Sequence, residues 1–187
     1  SRLNNEDRGQ CLGSFKGDDK ILTIYSSGKY LLSGFELTSK FDDDLIHIEK
    51  WHPKRPIACV YWNPSKELFF VKRFLVETLT KKHQFIDEGC ELKVVSVAYN
   101  PKVNVSFNKR LKETKDLKDK VFELNKVIDV KGDKAQGNQL TKLKIKDIQL
   151  LPVSEEEKWP IETEEEKVMV ELDDTENEEV IVPENDS

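Results

Sequence analysis

Short segments rich in Ile, Val, Phe and Tyr recur along the chain and are separated by polar turns. "KILTIY" and "KYLLSGF" flank the turn "SSGK" at 26–29, and "IACVYW" and "ELFFVKRF" flank "NPSK" at 63–66. "LKVVSVAY" and "VNVSF" flank "NPK" at 100–102, and "KVIDV" and "LTKLKIKDIQL" flank "QGNQ" at 136–139. Such segments, several of which alternate apolar with polar residues, are typical of half-buried antiparallel strands. The pattern predicts an all-β chain built from hairpins.

The four turns are evenly spaced. With centres at Ser27, Pro64, Pro101 and Asn138, the interval is 37 residues each time. A fixed period of this size indicates repeated supersecondary units, and the segments between the hairpins offer further strands for four-stranded, propeller-like blades. The alternative is a generic β-sandwich, which also carries turn signals at short intervals. The charge-dense stretch 109–120 is expected to be an exposed loop or short helix inserted within the last unit.

The arm "LTKLKIKDI" has the clearest alternation. Its lysines Lys142, Lys144 and Lys146 share one face of a strand, opposite Leu143 and Ile145. We expect the apolar face to pack and the other face to be a row of ammonium groups.

Charge is distributed unevenly along the 187 residues. Residues 1–153 hold 28 Lys and Arg against 21 Asp and Glu, a net charge of +7. Residues 154–187 hold 2 Lys against 15 Asp and Glu, a net charge of −13. A basic body next to an acidic segment suggests a surface that binds a polyanion, and a segment that competes for that surface.

Candidate catalytic chemistry is sparse. No GxSxG, HExxH or phosphate-loop pattern is present. The spacing of the three histidines matches no helical metal-binding motif: His47, His52 and His83. We interpret Asp42–Asp44 as a solvated turn, because consecutive carboxylates cannot all face one cation. An independent enzyme is therefore disfavoured.

Cysteine usage and hydropathy point to an intracellular protein. Cys11, Cys59 and Cys90 lie far apart and form no CxxC pair, so we expect buried thiols rather than a zinc or redox site. No apolar run approaches the ~20 residues of a membrane-spanning helix, and the start does not resemble a secretion signal. We expect a cytoplasmic protein without membrane contact.

Basic residues cluster at the turns. They lie at the first turn, beside or after the second and third, and around the fourth: Lys29, Lys66, Lys72, Arg73, Lys109, Arg110, Lys131, Lys134, Lys142 and Lys144. If the units repeat around an axis, equivalent positions fall on one rim, and a basic stripe there can follow a phosphate backbone. In "KGDKAQGNQ", Gly132 and Gly137 permit positive φ and a close backbone approach, the nearby lysines supply charge, and Asn138 belongs to the same candidate loop backbone. For any single lysine, the alternative is that it merely solubilises an exposed strand.

Three stretches, in order, resemble a known family. "GDDKILTIYSSGKYLLS", "IACVYWNPSKELFFVKRF" and "VIDVKGDKAQGNQLTKLKIKDIQLL" are similar to the C-terminal region of the DNA-cleaving subunit of bacterial type IIA DNA topoisomerases, the gyrase and topoisomerase IV family, closer to topoisomerase IV. The likeness runs from about residue 13 to 151. It implies a β-pinwheel, a propeller-like disc whose basic rim binds and bends duplex DNA, with Lys131, Lys134 and Lys142 facing DNA. The arginine- and glycine-rich gyrase box is absent as such, so gyrase-type wrapping is not implied.

The resemblance also implies a division of labour. The breakage tyrosine lies in a separate N-terminal domain, so this chain should not cleave DNA and should need no cofactor. The parent enzyme would use ATP and Mg²⁺ bound elsewhere, would pair with a second, ATP-using type of subunit, and would dimerise through its N-terminal part. It would be cytoplasmic and associated with the bacterial nucleoid.

We therefore expect three regions: a truncated lead-in at 1–12, a β-pinwheel of about 37-residue blades, complete or incomplete, at 13–153, and an acidic, disordered segment at 154–187. Within the last region, "VMVEL" and "EVIVP" are short β-prone pieces. The alternative function is a propeller-like protein-interaction scaffold that binds a partner with an acidic face. Competition by unrelated duplex DNA separates the two.

Overall fold

A computed structural model describes residue 3, residues 9–36 and residues 40–160. The strands lie in the first of two compact units, residues 1–157, and only residues 158–160 of the second are described. The β-prone pieces expected within 168–183 lie outside the described residues. Within the described part of the chain, no helix has the length and apolar character needed to cross a membrane.

The first sheet is built on a tight hairpin. Strands β1 (Ile21–Tyr25) and β2 (Lys29–Ser33) pair antiparallel, and β3 (Leu45–Lys50) pairs with the other edge of β1. Gly28 closes the turn with φ +84°, and a Cβ there would lie 2.3 Å from Cγ1 of Ile86. Only glycine fits this turn, both for its left-handed conformation and for its space.

The second sheet repeats this arrangement and adds a strand exchange. Strands β4 (Ile57–Asn63) and β5 (Leu68–Phe74) form a hairpin, and β7 (Glu91–Ser96) pairs with β4. Between them in the chain, the two-residue strand β6 (His83–Gln84) leaves to pair with β2 of the first sheet.

The third sheet follows the same plan with a longer hairpin turn. Strand β8 (Lys102–Phe107) pairs with β9 (Lys120–Glu123) across residues 108–119, and β11 (Ile145–Leu150) pairs with the other edge of β8. Between β9 and β11 lie a single helical turn, α1 (Leu124–Val127), and the short strand β10 (Asn138–Gln139), which joins the edge of β5.

The repeating unit is therefore a hairpin, a two-residue strand that completes the preceding sheet, and a strand that returns to its own sheet. The sheet orders are β3-β1-β2-β6, β10-β5-β4-β7 and β11-β8-β9. The all-β prediction is confirmed, and the strand exchange is consistent with a β-pinwheel. Among the described residues the third sheet has three strands, in keeping with an incomplete repeat.

The 37-residue spacing holds for only half of the predicted turns. Ser27 and Pro64 lie at equivalent hairpin turns, as predicted. The other two assignments are wrong: Pro101 precedes β8 in a connection between two sheets, and Asn138 is part of β10. The third hairpin turn is the charged stretch 108–119, which sequence reasoning treated as an insertion. The true repeat leaves the apparent register before this stretch, because β8 begins 45 residues after β4, whereas β4 begins 36 residues after β1.

Sheet 2 lies between two apolar cores because β4 sends alternate side chains to opposite faces. Ile57, Cys59 and Tyr61 join a core shared with sheet 1, while Ala58 and Val60 join a core shared with sheet 3. The period-two alternation of this one strand thus connects three sheets.

The three cysteine thiols differ in exposure. Cys59 is fully buried, and burial raises the pKa of its thiol to about 12. Cys90 is half-buried, whereas Cys11 is exposed, so the prediction of a buried thiol is confirmed for Cys59 and wrong for Cys11. Cys11 lies in the lead-in, before the first strand.

Candidate nucleic-acid interface

The segment 129–137, which we call the junction loop, is held against β5 at both ends. The N–H of Lys131 donates to the carbonyl of Arg73 at 2.9 Å, and Lys131 forms an isolated parallel bridge with Phe74. Beyond the loop, Asn138 pairs with Val71, and the N–H of Leu140 donates to the carbonyl of Phe69 at 2.9 Å. The loop therefore leaves the edge of β5 and returns to it.

The two glycines of the loop have different roles. A Cβ on Gly137 would lie 2.5 Å from the carbonyl oxygen of Val71 and 3.0 Å from the hydroxyl of Tyr61, so the backbone of Gly137 approaches β5 too closely for a side chain. At Gly132 the nearest atom would be Glu77 Oε1 at 3.6 Å, an ordinary contact. Neither glycine has a positive φ, so that part of the prediction is wrong. Asn138 contributes its side-chain amide, which donates to the carbonyl of Val127 at 3.0 Å.

Lys131 and Lys134 are exposed on either side of Asp133, which is 1% exposed. The hydroxyl of Tyr30 donates to Asp133 Oδ2 at 2.6 Å, and His83 Nε2 lies 3.4 Å from the same oxygen. Burial raises the pKa of Tyr30, and its hydrogen bond to Asp133 raises it further. The only hint of this network in the sequence is a single acidic residue in the middle of a Gly- and Lys-rich loop.

Lys72 does not lie on the surface, which contradicts its prediction as a DNA contact. Its side chain is 6% exposed, and its ammonium donates to the carbonyl of Phe85 at 2.5 Å and to the backbone carbonyl of Asp133. Burial lowers its pKa, an effect that nearby anionic groups oppose. The pattern of apolar and polar residues placed Lys72 near a turn. It could not show that the junction loop would cover this side chain.

Arg73 is half-buried and also engaged inside the fold. Its Nη1 donates to the carbonyl of Ile128 at 2.9 Å, and burial lowers its pKa. Arg73 thus contacts the start of the junction loop through its side chain as well as through its carbonyl.

Other predicted contacts lie at the hairpin turns, one from each unit. Lys29 follows Gly28 and is half-buried. Lys66 is exposed in the β4–β5 turn, with Nζ 5.3 Å from the ring centroid of Phe70. Lys109 and Arg110 are exposed at the start of 108–119. Each hairpin turn thus carries a basic residue at or beside it, half-buried in the first unit and exposed in the other two.

The stretch 108–119 is ordered by contacts within itself. Thr114 is 1% exposed, and its hydroxyl donates to the carbonyl of Asn108. The side chain of Asn108 accepts from the N–H of Arg110 at 2.8 Å, and the ammonium of Lys109 donates to the carbonyl of Leu117. The basic side chains here stand on a locally closed loop.

Lys142, Lys144 and Lys146 are all exposed, but they do not form the predicted row along one strand. β11 begins only at Ile145, and its register shifts between Ile145 and Asp147. Leu143, expected to pack, is 38% exposed. The carbonyl of Lys144 accepts from the N–H of Asn108 at 3.0 Å, which places Lys144 at the base of 108–119.

The start of the acidic segment touches the basic body. Glu155–Glu157 form a single 3-10 turn, and Lys102 Nζ lies 2.6 Å from Glu157 Oε1. This hydrogen-bonded ion pair raises the pKa of Lys102.

Among the described residues, no cluster of three or more His, Cys, Asp and Glu side chains is arranged to hold a metal ion. His47 instead lies 3.5 Å from Glu49 on the same strand.

The candidate interface is thus a β-structured body with exposed lysines on its junction loop and at its hairpin turns. None of the curated proteins and none of the solved structures compared with the chain matches it. Residues 2–152 match the family model described as the topoisomerase C-terminal domain of Bacteroidota, and the chain therefore belongs to that family of topoisomerase C-terminal domains.

Proposed function

We propose that this chain is the non-catalytic DNA-binding and DNA-bending module of the DNA-cleaving subunit of a bacterial type IIA topoisomerase. In this role it contributes to supercoil relaxation and decatenation by a parent enzyme that also contains an ATP-using subunit. The observation that carries the proposal is the placement of exposed basic side chains. They stand at the hairpin turns of the second and third units and on a junction loop whose backbone is held against β5.

The chemistry of these side chains suits a phosphate backbone rather than base edges. Lys66, Lys131, Lys134 and Lys142 are single ammonium groups, which act as point charges without the planar fork that reads a guanine. The affinity for DNA should therefore depend little on the DNA sequence and should fall steeply with salt concentration, because phosphate contacts release counterions. The body's net charge of +7 favours the same ligand.

The test is duplex binding across a salt series by the wild type and by the triple variant Lys131→Ala, Lys134→Ala, Lys142→Ala. We expect weaker binding and a salt slope reduced by up to about 0.9 for each phosphate that is no longer neutralised. The control is Lys40→Ala, Lys81→Ala, Lys93→Ala, which removes the same charge from exposed positions outside the proposed interface. Equal losses of affinity in both variants would mean that only net charge matters. Fluorescence energy transfer between the ends of the duplex reports bending.

A second function, the protein scaffold with an acidic partner, uses the same lysines. It predicts that unrelated duplex DNA will not displace the partner and that the wild type will not bind DNA even at low salt. Either result would remove the DNA proposal.

The acidic segment 154–187 is proposed to compete with DNA for the basic body. Its charge of −13 and the Lys102–Glu157 ion pair support this. A chain ending at Pro152 should then bind DNA more tightly than the full chain at low salt, and the difference should shrink as salt screens the competition. Equal affinities would contradict the idea.

A further inference from the structure

The residue that connects the junction loop to the rest of the molecule is an acid rather than a lysine. Asp133 sits in the loop that leads from sheet 3 into β10, and its buried carboxylate accepts a hydrogen bond from Tyr30 on β2. His83 on β6 approaches the same oxygen at 3.4 Å. The loop of the third unit is therefore bound by its side chain to the sheet of the first unit.

The backbone of the same residue is bound to the second sheet. The ammonium of Lys72, on β5, donates to the carbonyl of Asp133 and also to the carbonyl of Phe85, which follows β6. One residue thus receives hydrogen bonds from sheet 1 through its carboxylate and from sheet 2 through its carbonyl. A buried carboxylate and a buried ammonium are tolerated only with such partners.

Tyr30 extends the connection to the segment that follows β5. Its hydroxyl donates to Asp133 and accepts from the N–H of Thr78 at 3.1 Å. Glu77 lies beside the loop, and its pKa is raised. The main cause is that protonated Glu77 can form a side-chain hydrogen bond with the Asp133 carboxylate. The carboxylate therefore contacts β2 and β6, and Tyr30 connects it to the segment that follows β5.

We propose that Asp133 is a positioning residue that anchors the junction loop across sheets 1 and 2 and so determines where Lys131 and Lys134 stand. The consequence for DNA rests on the proposed function, whereas the anchoring itself does not. The proposal predicts an unusual direction for the change in DNA affinity. Removing a carboxylate from a DNA-binding surface should strengthen binding through simple electrostatics. Removing this one should weaken it, because the lysines lose their fixed position.

The test compares Asp133→Asn with Asp147→Asn in the full chain. Asp147 is an exposed carboxylate on β11 whose side chain contacts Gln149, so its variant has the same change in charge without touching the anchor. Tyr30→Phe is the second variant. It removes the hydroxyl that donates to Asp133 and accepts from Thr78, keeps the ring in the core, and is used in case Asp133→Asn fails to fold.

Hydrogen exchange measures the anchor directly. In Asp133→Asn, the amides of Lys131, Ala135 and Leu140 should exchange about 10-fold faster, as expected when a hydrogen bond to a charged acceptor is replaced by one to a neutral amide oxygen. Amides of β1 and β8 should keep their protection, and Tyr30→Phe, which leaves the buried carboxylate without this donor, should accelerate the same loop amides at least as much. Unchanged loop exchange in both variants would overturn the proposal.

DNA binding measures the consequence. Asp133→Asn should lose part of the affinity that the variant Lys131→Ala, Lys134→Ala loses, while Asp147→Asn should bind as tightly as the wild type or slightly more tightly. Faster loop exchange with unchanged or tighter DNA binding would overturn the positioning role. If the wild type binds no DNA at all, the proposed function fails, and the exchange data alone decide whether Asp133 is the anchor.

Discussion

The junction loop and the stretch 108–119 both carry exposed lysines but are held by different means. Both are short and mostly polar. The stretch 108–119 is closed by contacts among its own residues and with the neighbouring Lys144, with buried Thr114 at its centre. The junction loop is held by residues more than 50 positions away in the chain, including Tyr30 and Lys72. A loop that carries exposed lysines can therefore be positioned either locally or by the whole fold, and the two cases should respond differently to mutation.

The largest effect is expected where the junction loop meets the core. Phe74 is fully buried, packs near Tyr30 and Phe85, and forms a bridge with Lys131. Phe74→Ala should lower the free energy of unfolding by about 3–5 kcal/mol, measured by urea denaturation. Val121→Ala, on the exposed side of β9, is the control and should change it by no more than about 0.5 kcal/mol. A small change in the free energy of unfolding for Phe74→Ala would mean that the core around Phe74 does not support the junction loop.

A matched glycine pair tests the contact between the junction loop and β5. Gly137→Ala places a Cβ against the carbonyl of Val71, so we expect β10 to shift and stability to fall by about 1–3 kcal/mol. Gly132→Ala meets no such obstacle and has no positive φ, so thermal unfolding should show little change or a slight gain. Equal losses of stability at the two positions would contradict the close approach at Gly137.

Thr114→Val isolates the locally closed loop. The variant keeps the side-chain shape but removes the hydroxyl that donates to Asn108, at a cost of about 0.5–1.5 kcal/mol. Hydrogen exchange should accelerate within 108–119 and stay unchanged at Lys131 and Leu140. Faster exchange in both loops would show that they are coupled after all.

The smallest effect concerns pH. The pKa of Glu77 is raised in the folded protein, mainly through its hydrogen-bonding contact with Asp133, so the folded state holds this proton more tightly than the unfolded chain does. Ionised Glu77 therefore lowers stability above its folded-state pKa, and this cost disappears as pH falls below the unfolded-chain value. Glu77→Gln should raise the Tm at neutral pH and lose that gain in acid.

Glu113→Gln, in the stretch 108–119, removes the same charge and serves as the control. A Tm gain of the same size in this variant, with the same pH dependence, would indicate a general charge effect rather than one specific to Asp133.

Part of the fold could be predicted because it depends on local patterns. The hairpins around Ser27 and Pro64 follow from apolar alternation and turn chemistry within about 15 residues. Pro101 and Asn138 carry equally good turn signals, but Pro101 lies in a connection and Asn138 in β10, since strand pairing beyond a hairpin depends on long-range packing. β6 and β10, only two residues each, have too few positions to show a period.

The all-β class, the turn at 26–29 and the separation of a basic body from an acidic segment follow from the amino-acid sequence, because each depends on neighbouring residues or on composition. The exposure of each basic residue depends instead on long-range packing. Lys72 and Lys131 are the same residue type, and Lys131 is exposed. Lys72, however, is buried beneath a loop that lies about sixty residues later in the chain. The buried role of Asp133 was decided in the same way, because a carboxylate becomes an anchor only when distant donors are brought to it.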